Sequence, residues 1–584
     1  MDAALETQVQ RWIAADPSPD TQAELRALLA KGDDASRAEL ADRFAGTLEF
    51  GTAGLRGVLG GGPNRMNRAV VLTTTYGLAT HLAATFPDAK KRGVVIGYDG
   101  RHMSREFAED TAGVLTALGF VTHLFVDLAP TPLTAFAVHA LGAAAGVMVT
   151  ASHNPPEYNG YKVYWENAAQ IIPPIDGLIA KAIATAPAAK DVPRHTIAEG
   201  RAAGLLHDAG APMERAYLNA IAKLRPEGAP TRALRIVYTP MHGVGNRLTR
   251  QAMAEAGFTD VTSVPEQAEP DGAFPTVAFP NPEEKGAMDL SFALARKLGA
   301  QLVLANDPDA DRLAVAVPSA ASATGFQQLT GNQVGVLLGH YLLTREAAKD
   351  KRVTIASIVS SPMLGVIARA LGVRYEETLT GFKWIANRAM ELEKDGGWRF
   401  VFGYEEALGY TVGDVVRDKD GISAALVFSE LAAKLAAEGR TVQAELEAIC
   451  RKFGLFVSSQ VNVTRKGKEG AAEIAALMDR LRAATVSQIG PLKVLAISDY
   501  AARKRRVTGG ATTDLALPKT NMVVFELEGS SRVIARPSGT EPKVKLYVDV
   551  REDVKDGEAF DAAEKRAAAA MQAVSDAFVK LAGV

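Results

Sequence analysis

The strongest constraint on this chain is a repeated switch between two hydrophobic periods. Residues 70–86 carry apolar side chains at helical spacing, and Val94-Val95-Ile96-Gly97 is a short apolar run. Residues 105–118 are helical again, and 121–126 form a second run. Parallel strands need a crossover, and a helix supplies it, so this alternation predicts βα units and a mostly parallel sheet. The pattern restarts with a helix at 213–224, a strand at 235–238, a helix at 287–298 and a strand at 301–305. A third set has helices at 332–345 and 382–392 and strands at 353–357 and 399–402. From about residue 455 the order changes to strands at 455–463, 522–527 and 544–550 with long helices at 469–483 and 557–581, an α+β pattern.

A chain of 584 residues is too long for one core at roughly 100–200 residues per domain. The expected organisation is a helical N-terminal extension (1–45) and three α/β domains with mixed, mostly parallel sheets (46–208, 209–322, 323–453). A C-terminal α+β domain (454–584) completes it, with the domains around a central cleft. The small-residue run Ser319-Ala320-Ala321-Ser322-Ala323 suits a linker between the second and third.

Lysine and arginine number 65 against 67 acids, a net charge of −2. Proteins that bind nucleic acid or anionic membranes normally carry a basic excess, so neither partner is expected. The cluster Arg503-Lys504-Arg505-Arg506 reads as a solvated loop, or at most a phosphate-side patch. No run reaches the length of a membrane span, and residues 1–6 lack the apolar core of a signal peptide. Cys450 is the single cysteine, so no intrachain disulfide can form; it lies in a helical pattern and reads as a core thiol. A cytoplasmic protein is expected, as a monomer or homodimer.

Ser152 follows the apolar run 143–149 in Thr150-Ala151-Ser152-His153-Asn154-Pro155, at the carboxyl end of an expected strand. Ligands of open α/β sheets bind at such ends. In Asp307-Pro308-Asp309-Ala310-Asp311-Arg312 three carboxylates alternate between two expected strands, so they can converge on one hard cation such as Mg²⁺. An EF-hand is excluded, because Arg312 stands where its glycine belongs and Pro318 where its glutamate belongs. An acidic surface turn is the bland alternative.

Arg536-Pro537-Ser538-Gly539-Thr540-Glu541-Pro542 offers a guanidinium, two hydroxyls and a glycine amide, either an anion nest or an ordinary polar hairpin. Glu405-Glu406 in Gly403-Tyr404-Glu405-Glu406-Ala407 suits sugar hydroxyls, or equally two solvated acids at a helix start. Lys383, in Thr380-Gly381-Phe382-Lys383, suits proton transfer or a phosphate contact, or is simply exposed. Gly51-Thr52-Ala53-Gly54-Leu55-Arg56-Gly57 is a glycine-rich loop with one arginine and matches neither common nucleotide-binding fingerprint.

In this order the motifs resemble the α-D-phosphohexomutase superfamily, from about residue 46 to the C-terminus. The form Ser152-His153-Asn154-Pro155-Pro156-Glu157-Tyr158-Asn159-Gly160-Tyr161-Lys162 is most like the branch with type 2 phosphoglucomutase, phosphopentomutase and glucose-1,6-bisphosphate synthase. The resemblance implies that Ser152 carries a phosphoryl group and shares Mg²⁺ with Asp307, Asp309 and Asp311. It places Arg56 and His153 beside them, gives Arg312 to substrate binding and makes Lys383 an acid/base candidate. Thr380, Gly381 and Glu405 would meet the sugar, and Arg536, Ser538, Gly539 and Thr540 the non-reacting phosphate. The implied substrate is a phosphosugar, with glucose 1-phosphate and 6-phosphate foremost and glucose 1,6-bisphosphate as intermediate and activator. Phosphopentomutase, phosphomannomutase and bisphosphate synthase are the alternatives. The chain departs from the common Glu-x-Ser form of the sugar loop at Ala407, which has no side-chain hydrogen bond to offer.

Overall fold

The computed structural model describes residues 3–51, 54–226, 233–345, 350–465, 467–538 and 543–584, with backbone alone at 467–469. The chain forms two compact units. The first runs to Thr330 and regains Leu408–Ala437; the second holds Gly331–Ala407 and Glu438–Val584.

The first unit opens with three helices, Ala3–Ala15, Pro19–Lys31 and Asp34–Arg43. Val9, Ile13, Leu25 and Leu40 give them a small core of their own. Asp33 caps the third helix by accepting from the Ser36 amide at 2.8 Å. The extension docks on a glycine loop, where Glu24 accepts from the Gly61 amide at 2.8 Å.

Next comes a six-stranded sheet. Ala145–Val149, Val94–Tyr98, Thr122–Leu124 and Leu206–Asp208 run parallel in that order. Tyr158–Tyr164 adds antiparallel to Ala145–Val149, and Leu55–Val58 adds antiparallel at the edge. Val94–Tyr98 and Ala145–Val149 are buried throughout, as strands covered on both faces must be.

A five-stranded sheet follows, in the order Phe326–Gln328, Ala314–Pro318, Leu302–Ala305, Ile236–Thr239, Val261–Ser263. Its last three members are parallel and its first two antiparallel. Here Ser319–Ala323 departs from expectation. It belongs to the turn joining Ala314–Pro318 to Phe326–Gln328, closed by the Ser319 amide on the Gly325 carbonyl at 2.9 Å. The boundary expected at 322/323 therefore falls inside a hairpin. Small residues serve a tight turn as well as a linker, and composition does not separate the two.

The return of Leu408–Ala437 to the first unit was also not foreseen. The Leu313 amide donates to the Leu408 carbonyl at 3.0 Å, and the Gly421 amide to the Ala310 carbonyl at 3.2 Å. A side chain at Gly421 would meet the Arg312 carbonyl at 2.2 Å, so glycine is required for this close approach. The buried helix Gly421–Ala437 follows.

In the second unit Arg374–Thr378, Arg352–Ser357 and Arg399–Glu405 are parallel neighbours flanked by helices such as Gly331–Thr344 and Phe382–Gly396. The C-terminal region is antiparallel, in the order Leu455–Thr464, Lys543–Glu552, Arg532–Pro537, Val523–Leu527, Leu492–Asp499, Lys504–Val507, Thr512–Asp514. Gly467–Ala483 and Phe560–Ala582 are its helices. Three α/β sheets and one α+β region make up the fold class expected.

Lys504, Arg505 and Arg506 belong to the strand Lys504–Val507 rather than to a solvated loop, and Arg503 to the exposed turn before it. Lys504 meets Asp514 at 2.7 Å and Arg505 grips Glu526 with two hydrogen bonds. Cross-strand acids make a basic run a stable strand, and a local reading does not see them. Cys450 is buried, which pushes its thiol up to about 12. Among the described residues no helix is long and apolar enough to cross a membrane.

Candidate active site

Ser152 is a candidate residue of the first unit. It follows the strand Ala145–Val149 and adopts φ +53°, a left-handed conformation costly for a residue with a Cβ. Two neighbours hold it there. Thr150 Oγ1 accepts from the Ser152 amide at 2.9 Å and donates to Asp99 at 2.6 Å. Arg101 donates to the carbonyls of Ser152 and Asn154, each at 2.6 Å, and of Pro155 and Tyr158 at 3.0 and 3.2 Å.

Asp99 and Arg101 follow the neighbouring parallel strand Val94–Tyr98, so the sheet itself delivers the clamp. Burial pushes the Asp99 carboxyl up, against the pull of Arg101. The sequence carries a signal here, Asp99-Gly100-Arg101 at a strand's carboxyl end.

The Ser152 hydroxyl donates to Asp307 Oδ2 at 2.8 Å and lies 3.2 Å from His153 Nδ1. Asp307, Asp309 and Asp311 each present an oxygen within 4.8 Å of the others, and all three are buried. This is no surface turn. Lys162 donates to Asp309 at 2.7 Å and Asp311 at 2.9 Å, while Thr131 donates to Asp309 at 2.6 Å. Lys419, on the returning segment, lies 3.2 Å from Asp311. Among the described residues, Asp309 Oδ1 and Asp311 Oδ1 are buried without a hydrogen-bond partner. Unpartnered carboxylate oxygens, an adjoining serine hydroxyl and an all-oxygen donor set fit a hard divalent cation.

The electrostatics agree. Burial, together with Asp309 and Asp311, pushes the Asp307 carboxyl well above the ordinary range. Burial acts on the other two as well, but Lys162 outweighs it at Asp309, and Lys162 with Lys419 outweighs it at Asp311, so both stand below that range. Crowding three buried acids thus disfavours charge at Asp307 most, and a bound cation would relieve it. His153 is held neutral by burial and by Arg312 and Arg56.

The Arg312 amide donates to Asp307 at 2.9 Å, and its guanidinium lies 4.0 Å from Asp307 and Asp311. Arg56 is exposed on the strand Leu55–Val58, with Arg312, Asp309 and Asp311 as its strongest charged neighbours. All the residues expected around Ser152 thus lie together. Lys162 and Lys419 complete the group without having been given a role. A lysine amid Tyr161, Val163 and Tyr164 is a legible signal, whereas Asp418-Lys419-Asp420 reads as an ordinary charged turn.

The second unit carries the remaining candidates. Glu405 ends the strand Arg399–Glu405 and is buried; it accepts from the Gly381 amide at 2.7 Å. Gly381 has φ +114°, which favours glycine, and the helix Phe382–Gly396 starts immediately after it. Thr380 presents a buried hydroxyl with no hydrogen-bond partner among the described residues. Lys383 is buried in the first turn, so the exposed alternative is ruled out.

Glu406 is not solvated either. It accepts from Ser357 and Ser360, each at 3.1 Å. Arg536 stands on Arg532–Pro537 opposite Lys545, and the Ser538 amide donates to the Lys543 carbonyl at 2.7 Å. Gly539 and Thr540 lie outside the described residues.

Comparison with known proteins assigns the class. Models of phosphoglucomutase/phosphomannomutase α/β/α domains I, II and III match residues 47–190, 215–320 and 330–453. The C-terminal domain model matches 460–567. The chain belongs to this family, within the α-D-phosphohexomutase superfamily, and is an enzyme of the phosphosugar mutase kind.

Human phosphopentomutase is 37% identical over 94% of this chain and 92% of its own. A probable phosphomannomutase of Haemophilus influenzae is 42% identical over 84% and 95%, and a Staphylococcus epidermidis phosphoglucomutase 36% over 86% and 91%. Among solved structures, Paramecium parafusin in its open form superposes with a TM-score of 0.68, covering 93% of this chain and 96% of that one at 17% identity, a likeness of fold.

Proposed function

We propose that this enzyme interconverts pentose 1-phosphate and 5-phosphate through phosphoserine at 152 and a sugar bisphosphate, with hexose phosphates as poorer substrates. The observation that carries the chemistry is the Ser152 hydroxyl, 2.8 Å from Asp307 in a buried, partly unpartnered acidic cluster. A free serine hydroxyl is a weak nucleophile, but phosphoserine is an effective donor of a phosphoryl group. In the first half-reaction the P–Oγ bond of phosphoserine breaks and a P–O bond forms to the sugar hydroxyl, whose proton passes to a base. The second half-reaction is the reverse with the other phosphate, and restores phosphoserine.

Asp307, Asp309 and Asp311 would hold Mg²⁺, which supplies charge stabilisation to the phosphoryl oxygens. Lys162 fixes the orientation of two of these carboxylates, and the Asp99–Arg101 clamp fixes that of the serine. Neutral His153 can hold a proton at Nδ1 beside Ser152 Oγ. Glu405 and Thr380 suit sugar hydroxyls, and Arg536 and Ser538 suit the non-reacting phosphate.

Glucose is the foremost sugar on motif resemblance alone. The preference for pentose rests on the phosphopentomutase relative, which aligns over nearly the whole of both chains. The phosphoglucomutase relative, aligned over 86% of this chain, supports glucose as the second reading. Comparing kcat/KM for ribose, glucose and mannose 1-phosphates decides it. Ribose 1-phosphate is expected to lead by about tenfold or more. A lead for glucose or mannose would reverse the assignment. The same assays with added glucose 1,6-bisphosphate separate a mutase, which it activates, from a bisphosphate synthase, which releases it.

A further inference from the structure

The Glu406 carboxylate is held by hydroxyls of its own unit, and where it is held carries the inference. It accepts from Ser357 and Ser360, whose hydroxyls are also 2.8 Å apart, and its amide donates to Ser360 Oγ at 3.0 Å. The Ser360 carbonyl accepts from Arg532, at the start of the strand that carries Arg536. Arg532 also donates to Glu377 and Asp549, each at 3.0 Å. One hydrogen-bonded path thus joins the sugar-loop acid to the phosphate-loop hairpin.

A second observation agrees with the first. Ile358 and Val359, from the loop that holds these serines, are buried with Met522, Val524, Ile534 and Tyr547 of the C-terminal sheet. The Tyr547 hydroxyl is within electrostatic reach of Glu406, Arg536 and Glu405 together.

We propose that Ser360 and Arg532 are positioning residues that fix the sugar loop at a set distance from the phosphate-loop hairpin, making the separation a gauge of the sugar's length. Such a gauge discriminates pentose from hexose phosphates without touching either, because the distal phosphate and the hydroxyls must be met at once. The selectivity part of this inference rests on the function proposed above; the coupling of the two loops does not.

The test uses the full chain, with two readouts: hydrogen exchange of the hairpin strands 532–537 and 543–552, and kcat/KM for ribose 1-phosphate and glucose 1-phosphate. Ser360→Ala is expected to melt near the wild-type temperature and to speed exchange in the hairpin about threefold or more. It should also shrink the ratio of the two kcat/KM values about fivefold, chiefly through KM. Ser360→Thr, which keeps the hydroxyl, should restore both. Arg532→Lys should act in the same direction, and if it does not fold, Ser360→Ala alone decides.

Unchanged exchange in folded Ser360→Ala overturns the coupling. Faster exchange with an unchanged ratio overturns the role in selectivity. If the wild type turns over neither sugar phosphate while Ser360→Ala still speeds exchange, the functional reading fails and the coupling stands.

Discussion

Each unit of this enzyme buries a cluster of charges, and the two clusters are built on opposite principles. In the first unit Asp307, Asp309 and Asp311 leave two carboxylate oxygens without partners and crowd three acids against Lys162 and Lys419. In the second, Arg532 spends its guanidinium on Asp549, Glu377 and the Ser360 carbonyl, and Ser458 completes Asp549 at 2.6 Å. A buried polar group left unsatisfied costs free energy, so two such oxygens side by side in an acidic cluster suit a bound partner. The unsatisfied cluster is the one proposed for the chemistry, and the satisfied cluster the one proposed to hold pieces of chain in register.

The sharpest break in this comparison is at the residue that the unsatisfied cluster serves. Ser152→Ala should lower turnover by about 10³-fold or more while the melting temperature stays close to wild type. Loss of phosphate from the isolated protein, read by intact mass, should accompany it. A variant with near-normal turnover would remove phosphoserine from the mechanism.

The next test sets the clusters against each other. Arg532→Met leaves Asp549 and Glu377 without their shared cation, and removing one partner of a buried pair costs about 3–5 kcal/mol. Denaturant unfolding should show it. Asp309→Asn removes a carboxylate of similar burial, yet it relieves repulsion at Asp307 and Asp311, and Lys162 keeps Asp311. Its cation-free stability should fall by less than that of Arg532→Met, while the rate falls about 10²-fold and half-saturation with Mg²⁺ rises. Equal destabilisation by the two variants would mean that the acidic cluster is structural.

The difference between the clusters also explains what the sequence made legible. Ser152 and the three aspartates sit in short motifs whose spacing follows from the strand period, so their chemistry reads locally. Their supports are only half legible: Lys162 and Arg101 stand out against apolar strands, but Lys419 arrives from a segment that pairs with the first unit after a long detour. Nothing local joins Glu406, Ser360 and Arg532, because the fold brings them together across separations of 46 and 172 residues, and Asp549 meets Arg532 across a hairpin, 17 residues on. The alternation of helices and strands was legible for the same reason as the motifs. The turn at Ser319–Ala323 and the strand Lys504–Val507 were not, since cross-strand partners determine both.

A carboxylate outside both clusters gives the smallest effect and marks the lower end of the scale. Asp33 is solvent-exposed, and hydrogen bonds from Ser36, with Lys31 nearby, lower its pKa from 3.8 to about 2. A carboxyl whose folded pKa is depressed contributes stability that is complete above the unfolded value and disappears as pH falls through the folded one. Its contribution should therefore be full above about pH 4 and lost toward pH 2. Asp33→Ala should lower the melting temperature slightly at neutral pH, and the gap from wild type should close across that acid window. Since Glu24 and Arg43 fasten these helices to the glycine loop, the variant should leave turnover unchanged. A large loss of activity would instead show that the capped helix bears on Ser152, and would carry the functional cluster beyond the sheet that builds it.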